Sequence, residues 1–414
     1  MSSLLSLPIV LLLTLQSEAA RPPSPLGRVH PALWRWTALE QVEQENVYRV
    51  NPADIAINAN GGRHLVFGGW SPGDCGPDIY WCGLYHQFSP DGQSWSEPEL
   101  IPGTEWASSW SEPVAEADET GRLYVAWIGA GVQLCWSDDQ GLTFSPPVQV
   151  SGSLPTGFDV DMQIDARGAV HLAWLGIDWN EGGDYWWDVY YAWSTPTYFG
   201  GASVGAKPRD PVFYPGYAVS NDHDAGGGGL TLAVRPDGWV TTAWTNDEGH
   251  LRIAQAYAGD PFPPPWDPGT GKVVRFPWAV SHDDGALTIL YERNGPPDYA
   301  IRMYSLIARD GRTFEGPFAI TGRSSDATLS PRRCVHSWGR GWIHVVWTGY
   351  IKGTGRGFLH SVSYDYGRSL SAHTLLWDYQ DYPPSGFGSL DLLPDGRPAL
   401  ICYLHRYGEA IDAP

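Results

Sequence analysis

The residues with the clearest chemical content lie in one stretch, WLGIDWNEGGDYWWDVYYAW, Trp174 to Trp193. Aromatic faces stack on the apolar faces of sugar rings, and carboxylates accept hydrogen bonds from hydroxyls. Asp178, Trp179, Glu181, Asp184, Tyr185 and Trp186 therefore read as a glycan platform, with Trp174 and Trp193 at strand positions packed into the fold. A second stretch, SNDHDAGGGG from Ser220, sets Asp222, His223 and Asp224 ahead of a glycine run. Its two carboxylates can hold Ca²⁺, a hard cation that takes oxygen ligands, although the spacing is not that of an EF-hand. His223 can alternatively serve as the general base of a lyase-type reaction. No Cys/His spacing matches a zinc site, and no cofactor is required by any of these groups. Cys75 and Cys82 flank a short Gly-Pro loop and can close a local disulfide in an oxidising compartment. Cys135, Cys334 and Cys402 lie in apolar strand patterns and read as buried thiols.

Such residues need a scaffold that brings distant loops together. The chain has 414 residues with 49 Gly, 35 Pro and 22 Trp and only 17% charged residues, a balance that favours many short strands and turns. One unit recurs seven times, at Ala53, Val114, Val160, Leu230, Ala279, Cys334 and Ser389. Each is a short alternating strand, a turn carrying Gly, and a strongly apolar strand that often ends in Trp. The spacing of about 50–60 residues is that of propeller blades. The expectation is one all-β domain over residues 31–414, a seven-bladed β-propeller. Residues 31–50 would supply the outer strands of the last blade, closing the ring with both chain ends. Six blades with an irregular insertion is the alternative, because Pro261 to Pro265 interrupts unit four. In a propeller, the loops leading into each first strand and those following each second strand converge on one face around the channel. Both stretches above fall on that face, with Glu112, Asp159, His282, Arg332 and Arg333.

Four turns share a pattern. Ser137 to Phe144, SDDQGLTF, satisfies S-x-D-x-G-x-[ST]-[WF] in full, and Ser363 to Leu370, SYDYGRSL, departs only at its last position. Ser89 to Trp95, SPDGQSW, and Ala308 to Phe314, ARDGRTF, are one residue shorter. In such turns Asp91, Asp139, Asp310 and Asp365 would accept backbone N–H bonds, while the Gly supplies a positive φ. In register with the repeated units, these turns make the chain resemble the sialidase-like β-propellers with Asp-box (BNR) repeats, over nearly the whole chain beyond its first residues. The resemblance implies that the Asp boxes are structural.

It also implies site residues, position by position. Tyr48-Arg49-Val50-Asn51-Pro52 is similar, with one residue inserted, to the family's Tyr-Arg-x-Pro, whose Arg helps clamp a substrate carboxylate. Arg293 and Arg356 resemble the other two clamp residues, and guanidinium groups suit that task through bidentate charged donors. Asp74 occupies a place similar to that of the family's acid/base Asp. The resemblance breaks at the nucleophile. Where the family keeps Gly-Tyr-Ser, this chain has Gly386-Phe387-Gly388, and Phe has no oxygen. Phe276 to Trp278 stand where the Glu that activates that Tyr would lie. Phe387 would then line a ligand site.

The formal net charge of −20 disfavours nucleic acid and anionic membranes as partners. Residues 1–20 resemble a signal peptide, apolar from Leu4 to Leu15 and then small at Ser17, Ala19 and Ala20, followed by a leader over 21–30. No other apolar run is long enough for a transmembrane helix. The sequence thus points to a secreted or periplasmic propeller that binds carbohydrate or a glycoconjugate, or a protein, without Tyr/Glu sialidase catalysis. A polysaccharide-active hydrolase or lyase is the alternative, and a structural interaction propeller a third reading.

Overall fold

The computed structural model describes residues 9–17, 34–36, 40–42, 53–69, 83–105, 107, 112–179, 184–198, 208–220, 223, 225–226, 229–272, 274–294, 301–321, 328–329, 333–351, 355–378 and 389–404. The molecule is an all-β propeller, with no helix among these residues. Their strands form seven sheets, taken up in turn along the chain. The first sheet runs Ala53–Ile57, Arg63–Gly69, Gly83–Ser89 and Glu99–Leu100, each strand antiparallel to the next. The second, third and fifth repeat this four-stranded meander over 114–149, 157–218 and 274–319. The fourth keeps three strands over 230–257, where the prolines interrupt the pattern. In the sixth, Thr328–Leu329 and Val335–Trp338 both pair with Trp342–Ile351.

The last sheet joins the two ends of the chain. Pro398–Leu404 pairs with Ser389–Leu392 on one side and with Ile9–Ser17 on the other. Trp34–Trp36 and Glu40–Val42 both pair with Ile9–Ser17. The apolar run read as a signal peptide thus supplies a strand here. Within 31–50 the described strands, 34–36 and 40–42, pair with it and not directly with Pro398–Leu404. First strands touch in cyclic order: Ala53–Ile57 meets Val114–Ala117, then Gly157–Ile164, Leu230–Val234, Val274–Ser281, Val335–Trp338 and Ser389–Leu392, which returns to Ala53–Ile57.

The second strand of each unit is rich in apolar residues because it is central in its sheet and covered on both faces. Arg63–Gly69 and Leu123–Ile128 are buried along their whole length. The terminal Trp residues fill the space between neighbouring sheets. Trp127 packs with Val66 and Leu84 of the first sheet, and Trp174 with Tyr124 and Leu134 of the second. Trp127, Trp174 and Trp244 are all at most 1% exposed. Each such indole contributes about 4–6 kcal/mol of transfer free energy before ordering entropy is subtracted.

The four turns around Asp91, Asp139, Asp310 and Asp365 form between the last two strands of their sheets, at the end away from the loops that lead into first strands. Asp139 Oδ1 accepts from Thr143 N at 2.8 Å, its Oδ2 accepts from Thr143 Oγ1 at 2.6 Å, and Ser137 Oγ accepts from Gly141 N at 2.8 Å. Asp365 repeats this with Ser369, while Asp91 and Asp310 each accept two backbone N–H bonds. These bonds hold the carboxyls below the usual range, Asp310 at about 2. Cys135 and Cys334 are buried thiols, as expected. Cys75 and Cys82 lie outside the described residues.

Candidate functional site at the channel mouth

First strands are joined at the axis by their own side chains. Asp54 Oδ2 accepts from Ala115 N at 2.8 Å, Asp161 Oδ2 from Leu232 N at 2.7 Å, and Asp391 Oδ2 from Ile57 N at 2.6 Å. Thr231 Oγ1 accepts from Ala279 N at 3.0 Å, and Ser389 Oγ donates to Asp54 Oδ1. Every one of these bonds crosses from one sheet to its neighbour.

Arg333 sits among those carboxylates. Its carbonyl accepts from Leu390 N at 2.8 Å, in the last sheet. Its side chain spans the axis: Nη1 donates to Ala115 O at 2.7 Å and Nη2 to Met162 O at 2.8 Å. Ion pairs run from Nε to Asp54 (3.4 Å), from Nη1 to Glu116 (3.1 Å) and from Nη2 to Asp161 (3.7 Å). Burial disfavours the Arg333 cation, but the carboxylates of Asp54, Glu116, Asp161 and Asp391 outweigh it and raise its pKa. Burial pushes the Glu116 carboxyl up to about 7 against the pull of Arg333. His336 Nε2 lies 3.2 Å from Asp391 Oδ1, a contact that overcomes burial and raises the imidazole pKa.

Beside this hub is a pocket of about 20 Å³, lined by Asp54, Asp159, Asp161, Leu230, Trp278 and Arg333 among others. That volume holds about one water. Burial and then Asp161 push the Asp159 carboxyl up to about 6. The backbone around the pocket is strained. Asp159 (φ 49°) and Phe276 (φ 47°) stand near the start of the first strands of the third and fifth sheets, and His223 (φ 52°) and Arg333 (φ 31°) in the segments leading into those of the fourth and sixth. Asp159 and Phe276 occupy register shifts between Phe158 and Val160 and between Arg275 and Trp278. Such conformations cost about 1–3 kcal/mol each and collect at ligand sites.

Next to Asp159 the third sheet presents aromatic rings. Phe158 and Tyr185 are 42% and 57% exposed, and both meet Trp187, at 5.4 and 6.4 Å between ring centres. Along a strand, alternate residues share a side, so Trp186 and Asp188 point together. Both touch His223: the Trp186 ring lies 4.3 Å from the imidazole, and Asp188 Oδ2 is 2.9 Å from His223 Nδ1. Asp188 is buried and also accepts from Ser220 Oγ at 2.8 Å, and Ser220 Oγ in turn accepts from Val189 N at 2.8 Å. The carboxylate can only accept, so Nδ1 carries the proton and Nε2 is left as an acceptor. With the His223 side chain 52% exposed, that nitrogen can take a hydrogen bond from a hydroxyl or a proton from a reacting group.

The structure brings Trp186 and His223 together, and it sets Tyr185 with Phe158 and Trp187, on the alternate positions of the same strand. Asp178 is half-buried in the adjoining strand, and Asp184 is exposed just before Tyr185. Trp179 is paired in register with Tyr185 at the end of that strand. Arg293, expected as a carboxylate clamp, lies over the Tyr304 ring at 6.0 Å and beside Gly271, away from the pocket lining. Arg356 pairs in its strand with Tyr350, and its side chain lies outside what is described. Arg49, Asp74, Glu181, Asp222, Asp224 and Phe387 also lie outside the described residues. Among the described residues no group of three or more His, Cys, Asp or Glu is placed to hold a metal, and no helix is long and apolar enough to cross a membrane. Arg333 was expected on this face and Asp188 fell within the aromatic stretch, but neither was singled out and their partners were not visible in the sequence. The available signal was acidic residues inside apolar first strands, as in ADIAI, VAEA, VDMQI and SLDL.

No family model and no curated protein matches the chain. Among solved structures, the chain is similar to the BP39L lectin from Burkholderia pseudomallei, at 10% identity and a TM-score of 0.53, over 87% of this chain and 98% of the lectin. It is also similar to the Aleuria aurantia lectin, described as a six-bladed β-propeller with a novel fucose recognition mode, at 11% identity and a TM-score of 0.41, over 76% and 96% of the two chains. The intramolecular trans-sialidase from Ruminococcus gnavus follows at 10% identity and a TM-score of 0.44, over 73% and 90%. At these identities the likeness to the Burkholderia lectin establishes a shared fold.

Proposed function

We propose that the protein is a glycan-binding propeller whose ligand lies on a platform of Phe158, Tyr185 and Trp187 at the channel mouth, on the strand that also carries the Trp186–His223 contact. The observation that carries this reading is a pair of exposed rings, Phe158 and Tyr185, that meet at Trp187, on the strand whose buried Asp188 holds the His223 Nδ1. Flat apolar rings and one fixed acceptor suit a sugar, which has an apolar face and hydroxyl edges. The lectins and the trans-sialidase among the similar structures are consistent with a carbohydrate ligand. Glycan-array screening followed by calorimetry tests it: Phe158→Ala and Tyr185→Ala should each weaken binding about fivefold, from the ~1 kcal/mol typical of an aromatic contact. Unchanged affinity in both variants would refute this placement.

The His223–Asp188 pair favours a second reading, an enzyme that removes a proton from a polysaccharide. Turnover that disappears in His223→Ala but survives in Tyr185→Ala would establish it over simple binding. We further infer that the seven sheets are the blades of one closed ring, a reading supported by the cyclic order of first-strand contacts.

A further inference from the structure

We propose that the ligand of this site is a neutral or amine-bearing sugar, and that the channel mouth discriminates against sugars carrying a carboxylate. The inference rests on the glycan reading above and adds the charge class of the ligand. A carboxylate needs a cation with donors to spare. Arg333 is the guanidinium that lines the pocket, and each of its three nitrogens already faces protein oxygen: Nε Asp54, Nη1 Ala115 O and Glu116, Nη2 Met162 O and Asp161. Among the described residues of the lining, Arg333 is the one cation, set against Asp54, Asp159 and Asp161, with Glu116 directly behind. Low-dielectric walls concentrate such a surplus into a negative potential over the mouth. Phe158, which packs on Trp187 of the platform, is the residue next to Asp159, so a sugar on the rings lies within reach of that field. Trp278 in the same lining offers an aromatic face, and an ammonium group suits a ring together with carboxylates.

The test uses the full chain and matched ligands: galactose-terminated glycans with their sialylated counterparts, and cello-oligosaccharides with glucosamine oligomers and C6-oxidised glucuronate oligomers. At pH 8 and low salt, neutral members should bind at least tenfold more tightly than their acidic counterparts, and glucosamine oligomers at least as well as neutral ones. The ratio should shrink toward unity at high salt, where the field is screened, and in Asp159→Asn. The salt series on the unmodified protein stands even if that variant does not fold. Acidic members binding as tightly as neutral ones would overturn the charge inference and leave the glycan site intact. Binding of none of them would overturn the glycan reading and this inference with it.

Discussion

Replacing Arg333 with Met should destabilise the protein, by an amount that depends on pH. The variant keeps the apolar stem but removes two charged hydrogen bonds to carbonyls and the ion pairs to Asp54, Glu116 and Asp161. Deleting one partner of a buried ionic cluster costs about 3–5 kcal/mol, because the remaining charges stay desolvated. Above pH 8 nothing relieves that cost. As pH falls, Glu116 takes up a proton, since its carboxyl titrates at about 7 even with Arg333 beside it. Without the guanidinium its pKa must rise further, and each additional unit returns about 1.4 kcal/mol to the variant once the group is protonated. Urea denaturation at pH 8 and pH 5 should therefore show a loss of about 3–5 kcal/mol at the higher pH and a loss smaller by about 1–2 kcal/mol at the lower. Arg333→Lys keeps the charge but not the fork, and should fall between the two. A loss below about 1 kcal/mol at pH 8, or one equal at both pH values, would mean that the hub does not hold the sheets together as argued.

Three further outcomes follow. Asp139→Ala removes the acceptor for Thr143 N and Thr143 Oγ1 and should lower stability by about 1–2 kcal/mol without changing glycan affinity, because the turn is on the opposite end of the sheets; a change in affinity measured by calorimetry would contradict that placement. Gly141→Ala should be more damaging, since a Cβ there would come within 1.9 Å of the His86 ring at a φ of 86°; a thermal scan showing no loss would refute it. Burial lowers His64 and His282 to about 4 and His86 and His360 to about 3. Unfolding lets these groups protonate near 6.5, so stability should fall as pH drops from about 6.5 toward 4, by about 1.4 kcal/mol per pH unit for each net proton taken up. Glu116 and Asp159, raised in the fold, act with the opposite sign over the same range and reduce the slope. Denaturation midpoints that rise between pH 6.5 and pH 4 would show that the carboxyls dominate.

The repeated sheets were legible because each unit has a two-residue alternation, a Gly turn and a continuous apolar strand ending in Trp, features that local chemistry alone imposes. The Asp boxes were legible for the same reason, since the Ser, Asp and Gly of one turn satisfy each other. The platform was only half legible. Tyr185, Trp186 and His223 were each conspicuous, yet Asp188, which fixes His223, looks like one more polar position in WWDVYY. Its role depends on strand register, which places it beside Ser220 and His223 from more than thirty residues away. Arg333 was hidden differently. Its partners come from four sheets, and no local pattern records which loop arginine will reach across an axis. Similarity to a sialidase drew notice to Arg293, but that side chain lies over Tyr304.

This arrangement decides which acidic residue can report on ligand charge. Asp54, Asp161 and Asp391 line the channel, but each also accepts a backbone N–H from the neighbouring sheet, at 2.8, 2.7 and 2.6 Å. Replacing any of them with Asn would disturb a junction between sheets as well as the field, so lost binding would have two causes. Glu116 is bound to Arg333 and to Gln163, and its replacement would loosen the hub. Asp159 lines the same pocket, stands next to Phe158 of the platform, and sits at the point where the strand register shifts. At pH 8, above its value of about 6, Asp159→Asn removes one charge while preserving shape. If affinity for acidic sugars rises in that variant while affinity for neutral ones holds, the field is the cause. If both fall together, the strained bulge at Asp159 matters for holding the platform in place, and charge does not select the ligand.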